Sequence, residues 1–398
     1  MSNGRVGGEV VQESDSAAGP VDEARACSVI IEAEAEATES FGTLAPKVVD
    51  AFRRRNLFSL FVPEALGGLE ADIVTFLDVI EEVSRSDGSA GWSLMANALS
   101  TGFAGSYLDD AAVATLFGSP DGAVVAGMPG PAGRARTVDG GYVVSGRYQF
   151  ASGSGHANWL ICGSVVSEGP EQGKHIVYCV PKDSVSMLGG WDVLGLEGTG
   201  SYDYEVTERF VDQGRTFDFA APMPRRGGPL YCLGVQVLGS AGHAGVAIGL
   251  ARRALEEVAA IAAKKVRAGQ PRVADQPLFQ HDFAWHEAAF QAARSRTWDV
   301  FRSAQDTVVA GRDLTDLDVQ RVRQFTTYST GQAADIVSFC YQWSGSAGLR
   351  NPSVLGRCLR DIYACTQHKY VDQNTLVDAG RLLVGSWGSP RHAAVNPT

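Results

Sequence analysis

A chain of 398 residues, 45% hydrophobic and 20% charged, can bury a large core, and its length allows two or three domains. A formal net charge of −11 argues against a nucleic-acid partner, because phosphate binding needs a basic face, and the short runs Arg53-Arg54-Arg55 and Lys264-Lys265 read as solvated helix faces. Seven dispersed cysteines with no Cys-x-x-Cys pair exclude a zinc site or disulfide framework by spacing; with no uninterrupted apolar run long enough for a bilayer and no basic-then-apolar leader, the expectation is a cytoplasmic, non-membrane protein without a metal.

Residues 1–28 are rich in Gly, Ser, Ala and acidic side chains with little periodicity, so they are expected to form a disordered leader. A helical domain is expected over 29–120. Its helical spacing over 33–60 is closed by Val62-Pro63 and the turn Gly67-Gly68. Ile73, Phe76, Leu77 and Ile80 then share one helix face, 89–99 suits a tightly packed buried helix, and 109–116 gives a short one. From 121 to 225 the texture changes to short β-rich runs separated by Gly, Pro and Asp turns, the layout of an antiparallel barrel or sandwich. From 226 to 398 long helices return, over 233–265, 279–309, 316–343 and 353–383, the last preceded by Pro352. The fold class is α+β, ordered α-domain, β-domain, α-bundle.

Gly146-Arg147-Tyr148-Gln149-Phe150-Ala151-Ser152-Gly153-Ser154-Gly155-His156-Ala157-Asn158-Trp159 is the most informative stretch. A strand pattern runs into Phe150 and then small residues fill nearly every position up to His156. Such residues let a backbone approach a flat ligand and offer it N–H and hydroxyl groups, and flanking aromatics can cover a ring face. The same cluster also reads as an ordinary turn between strands.

The order of domains, with Val62-Pro63-Glu64 and Gly67-Gly68, the 146–159 stretch, Gly195-Leu196-Glu197-Gly198-Thr199-Gly200-Ser201 and Arg357-Cys358-Leu359-Arg360-Asp361, resembles the acyl-CoA dehydrogenase superfamily. The resemblance implies an N-terminal α-helical domain, a middle antiparallel β-barrel or sandwich and a C-terminal α-helical bundle. It also implies a flavin between the last two, usually in a homotetramer. Dehydrogenases of this family place a glutamate base shortly after the Arg-Asp pair. Here that region reads Arg360-Asp361-Ile362-Tyr363-Ala364-Cys365-Thr366-Gln367-His368-Lys369-Tyr370, with no carboxylate there and a histidine beside the position.

That feature and the Ser-Gly…His-x-x-Trp cradle are similar to the two-component, reduced-flavin-dependent monooxygenases that hydroxylate 4-hydroxyphenylacetate or a secosteroid phenol. This closer resemblance implies reduced FMN or FAD, dioxygen as co-substrate, a flavin C4a-hydroperoxide and oxidation of a small aromatic or apolar substrate. A separate NAD(P)H:flavin reductase is implied too, since the chain has no Gly-x-Gly-x-x-Gly nicotinamide-binding unit. It makes Ser152 and His368 catalytic, His368 as the base that draws a proton from a phenol. Phe150, Ser152, Gly153, His156, Thr199, Ser201 and Arg267 become cofactor-binding candidates, and Trp92 with His368 substrate-binding ones. Each has a plainer reading: turn serine, loop-bonding His156, tight turn at 199–201, helix-end Arg267, core Trp92. Arg360 and Asp361 read as a structural ion pair. Ala151 stands where those enzymes often have another serine. An acyl-CoA dehydrogenase or oxidase with a relocated base, and a non-catalytic small-molecule-binding protein of the same fold, remain alternatives.

Overall fold

The computed structural model describes residues 18–119, 122–220, 223–266 and 268–387. Its N-terminal part packs α1 (Pro20–Ala33), α2 (Ala35–Phe41), α3 (Pro46–Arg54), α4 (Ile73–Ser86), α5 (Gly88–Tyr107) and α6 (Asp110–Phe117). The first helix corrects the expected leader boundary at residue 28. Pro20 sits in its first turn, and Ala24, Cys27 and Ile31 are buried at helical spacing. Two of those three are small, which is why the stripe is faint in the sequence. The leader expected before Ala18 lies outside the described residues. The helical pattern over 33–60 is broken where Gly42 turns left-handed (φ 64°) and Pro46 restarts the chain. Aspartates set three further helix starts: Asp72, Asp87 and Asp109 accept from backbone N–H groups of α4, α5 and α6.

The middle part is one seven-stranded sheet of β1 (Val125–Val138), β2 (Gly141–Ala151), β3 (Trp159–Glu168), β4 (His175–Pro181), β5 (Ser186–Gly189), β6 (Tyr202–Asp212) and β7 (Thr216–Asp218), in the order β5-β6-β2-β1-β3-β4-β7. All neighbours are antiparallel except β1 and β3, which run parallel, so the expected wholly antiparallel arrangement is corrected at its centre. β2 and β3 therefore run in opposite directions with β1 between them, and residues 152–158 pass across the start of β1 to join the end of β2 to the start of β3. Tyr148, Tyr178 and Tyr204 are fully buried in this part, with Tyr148 bonded to Ser164 (3.0 Å) and Tyr178 (2.9 Å).

Beyond the sheet come α7 (Gly234–Lys264), α8 (Pro277–Val309), α9 (Asp316–Ser344), α10 (Ser346–Leu349), α11 (Val354–Cys365) and α12 (Gln373–Trp387). By length and composition α7 is apolar enough to cross a membrane, but most of it is buried against α4, α5, α9 and α11, so it is the central core helix. The single helix expected over 353–383 is two helices joined by a turn at 366–372. Most residues of this turn are polar, and Asp372 takes the backbone N–H of Asn374 (2.8 Å) to start α12. His368 thus sits on a turn rather than on a helix.

Candidate active site

The cradle begins where β2 ends. Phe150 has φ +61°, a costly value for a residue with a Cβ, and its ring is 60% exposed, meeting Trp191 edge-on at 6.2 Å. The chain then folds onto the 195–201 loop: Gly153 N–H donates to Thr199 O (2.8 Å) and Ser154 Oγ to Gly200 O (2.9 Å). His156 lies beneath this loop. Its Nε2 bonds Asn97 Oδ1 (2.9 Å) and its ring meets Phe58 at 5.6 Å, so its contacts pin the cradle to α5 and α3's neighbour segment. Burial pushes its pKa down to about 3, which keeps it neutral.

Three hydroxyls stand in line behind the cradle, and their protons point one way. Thr199 Oγ1 donates to Leu196 O (2.8 Å), so the 2.8 Å contact between Thr199 and Ser201 must be donated by Ser201. By the same logic the 2.8 Å contact between Ser201 and Ser152 is donated by Ser152. Trp92 Nε1–H donates to Ser152 Oγ at 3.0 Å. Ser152 is left with one lone pair and no proton to offer a ligand. Thr199 and Ser201, expected from the sequence to contact the cofactor, are buried and stand behind Ser152, which they orient.

The turn 366–372 brings His368 and Tyr370 against α5 and α7. Ring centroids lie 4.1 Å apart for His243 and His368, 4.7 Å for Trp92 and His243, and 5.8 Å for Trp92 and His368. Tyr370 closes the cluster at 5.1 Å from His368 and 5.3 Å from His243. A Cβ on Gly239 would lie 2.5 Å from the Tyr370 ring, so this glycine sets how closely the turn approaches α7. Burial pushes the His368 pKa down to about 4, so the ring is neutral near pH 7. Its Nδ1 accepts from Tyr370 N–H (3.3 Å), which puts the proton on Nε2. This revises the expected base: the lone pair is engaged, and the free nitrogen is a donor. Neither His243 nor Tyr370 was a sequence candidate. A polar ring amid the small residues Ala241, Gly242, Ala244 and Gly245 was the signal available for His243.

Behind the 195–201 loop, Asp361 Oδ1 accepts from Leu196 N–H at 2.6 Å. Arg360 pairs with Glu39 (2.6 Å), and Arg357 lies 3.2 Å from Glu39 and 3.6 Å from Asp87. The expected Arg360–Asp361 pair is thus replaced: Arg360 reaches α2, and Asp361 turns inward to fix the loop. A Cβ on Gly195 would sit 2.2 Å from Arg360 O, which shows how tightly this loop lies on α11. A cavity of about 320 Å³ beside Trp191 is lined by Phe41, Val193, Glu197 and Tyr202. A larger one of about 460 Å³, between α6 and strands β4 and β6, contains none of the site residues.

Residues 24–108 match the family described as acyl-CoA dehydrogenase, N-terminal domain, and residues 241–373 match acyl-CoA dehydrogenase, C-terminal domain. The chain is 32% identical over 354 residues to an indole-3-acetate monooxygenase of Pseudomonas putida, covering 86% of this chain and 88% of that protein. It belongs to the flavin-dependent monooxygenases of the acyl-CoA dehydrogenase fold. A second relative of this monooxygenase, at 24% identity over 84% of this chain and 90% of the other, is the flavin-dependent monooxygenase oxygenase subunit HsaA of Rhodococcus jostii. Its fold matches the 3-HSA hydroxylase from Rhodococcus sp. RHA1 with a TM-score of 0.86 (24% identity, 93% and 97% of the two chains). XiaF from Streptomyces, solved with FADH2 and glycerol, matches with a TM-score of 0.84 (20% identity, 92% and 95%). Arg267, expected to reach a flavin phosphate, lies outside the described residues.

Proposed function

We propose that this oxygenase component oxidises a small aromatic substrate in the Trp92–His243–His368–Tyr370 cluster, with reduced flavin held at Phe150 and Ser152. The observation that carries the reading is the direction of the hydroxyl chain. Ser152 presents a lone pair without a proton, and a reduced flavin has a ring N–H at N5 where the oxidised form has a bare nitrogen. A flavin fits the residues on a second count: Phe150 holds an exposed aromatic face in a backbone geometry that costs on the order of 1–3 kcal/mol. When bound, the reduced flavin supplies the two electrons with which dioxygen is activated.

The chain's own residues position and protect. Trp92, His243 and Tyr370 exclude water from the ring-lined side, and His368 Nε2–H is placed to donate to an oxygen or ring acceptor of the ligand. The name carried by the indole-3-acetate relative makes a bicyclic aromatic the first substrate class to test, and FADH2, present in the XiaF structure, the first flavin, with FMNH2 beside it. Electrons come from a separate reductase, which we take to be an NAD(P)H:flavin reductase. Seven free cysteines support a reducing, cytoplasmic setting. Exposed Leu278 and Trp285 on α8, with Val384 and Trp387 on α12, support assembly into a homotetramer.

Anaerobic titration with FADH2, FMNH2 and their oxidised forms tests the flavin assignment. Reduced flavin is expected to bind at least about tenfold more tightly than oxidised flavin, one hydrogen bond being worth about 1 kcal/mol or more when its loss strands a partner. Equal affinity for both redox states would contradict the role given to Ser152.

A further inference from the structure

His243 lies on the central helix α7, and only 6% of it is exposed. Its Nδ1 is sealed from solvent and has no hydrogen-bond partner among the described residues. In another helix His286 Nδ1 donates to the carbonyl of Asp282, one turn earlier, at 2.8 Å, and so carries the ring proton; His243 Nδ1 makes no such bond, and nothing holds a proton on it. A buried polar atom left without a partner costs about 1–3 kcal/mol, so an orphan of this kind needs a reason. The reason is visible in its surroundings. The His243 ring meets His368, Trp92 and Tyr370, and therefore faces the same cluster that the substrate assignment uses.

The two histidines bring different groups to that cluster. His368 has its Nδ1 lone pair engaged by Tyr370 N–H and offers a donor. His243 makes no such bond at Nδ1. Deep burial and the neighbouring His368 hold its pKa well below the ordinary value, so it remains a neutral ring with one N–H and one lone pair. Nε2, unlike Nδ1, is not a sealed atom without a partner, so the proton belongs there and Nδ1 keeps the lone pair. Between them the stacked imidazoles supply one donor, from His368, and one acceptor, from His243.

We propose that His243 is a specificity-determining residue: a buried acceptor that takes the ring N–H or O–H of the aromatic substrate. This rests on the aromatic reading of the site and deepens it. The substrate class is then a flat ring system carrying one hydrogen-bond donor, an indole or a phenol, rather than a bare hydrocarbon or an ether. Its apolar body replaces the contacts the four rings make with one another, and its donor satisfies the orphaned imidazole.

Equilibrium binding to the full chain loaded with reduced flavin, under anaerobic conditions, tests this without turnover. The probes are indole and indene, which share size and shape but differ in the ring N–H. The wild-type protein is expected to bind indole at least tenfold more tightly than indene. His243→Phe, which keeps a ring to stack on His368, is expected to bring the ratio below threefold by weakening indole and leaving indene almost unchanged. His243→Leu serves as the second variant, and retained binding of reduced flavin reports that either one is folded. A wild-type ratio near one, or a ratio that persists in the variants, overturns the role of His243 while leaving an aromatic substrate in place. Reduced flavin binding with neither ring bound overturns the aromatic reading and this inference together.

Discussion

Ser152 acts as an acceptor because Thr199 commits its proton to a backbone carbonyl two hydroxyls away. The same economy of protons decides His368, whose engaged Nδ1 makes it a donor near pH 7. Neither direction could be read from the sequence, where a serine or histidine is equally donor and acceptor. Buried titratable groups also shape stability against pH, in opposite senses. His368 (about 4), His156 (about 3) and His243 (well below ordinary) titrate lower in the folded chain than the unfolded value of about 6.5. Their contribution is whole above about pH 6.5 and is lost as pH falls toward 4, because the unfolded chain takes up protons first. Asp87 is pushed up to about 6 and Asp361 to about 8, chiefly by burial. Their contribution is whole below the unfolded carboxylate pKa and is lost as pH rises through those values. Thermal melts from pH 4.5 to 9 should therefore show a maximum near pH 6–7. Asp361→Asn, which keeps an oxygen for Leu196 N–H, should flatten the alkaline limb; an unchanged limb would contradict the assignment to Asp361.

At the scale of elements, the course of 146–159 was legible, since a period-two pattern running into small residues marks a strand that ends in a tight connection; whether that connection is a cradle or an ordinary turn was not. The long helices α8 and α9 were legible from length and apolar spacing. The split between α11 and α12 was not, since the polar residues of 366–372 differ little from those of an exposed helix face. Nor was the parallel pairing of β1 with β3: alternation tells which face is buried, not which strand lies alongside. His243 escaped for a related reason. In a helix surrounded on nearly all sides by protein, no polar face marks out the position that meets a ligand. The approach of α7 to the 366–372 turn gives a direct test. Gly239→Ala would put a methyl group against the Tyr370 ring, and overpacking of this kind costs about 1–3 kcal/mol. The expected outcome is a lowered Tm together with weakened aromatic binding, while reduced flavin binding at Phe150 and Ser152 holds. Unchanged aromatic affinity would show that Tyr370 does not wall the site.

At the scale of the whole molecule, three parts divide the work. The sheet end supplies the cradle, α5 supplies Trp92 and the anchor Asn97, and the C-terminal part supplies both imidazoles, His243 from α7 and His368 from the 366–372 turn. No one part holds all of the proposed site, so the proposal requires the three parts to stay docked. A network of Glu39, Asp87, Arg357, Arg360 and Asp361, with the two aspartates buried, lies where they meet. An aromatic oxygenase site at these residues is tested by a single turnover of the chain loaded with stoichiometric reduced flavin, mixed with ¹⁸O₂ and indole, with the labelled product and hydrogen peroxide both measured. One ¹⁸O atom in the oxidised aromatic product and little peroxide are expected. Peroxide equal to the flavin supplied, with unlabelled and unchanged indole, would contradict an aromatic oxygenase site at these residues.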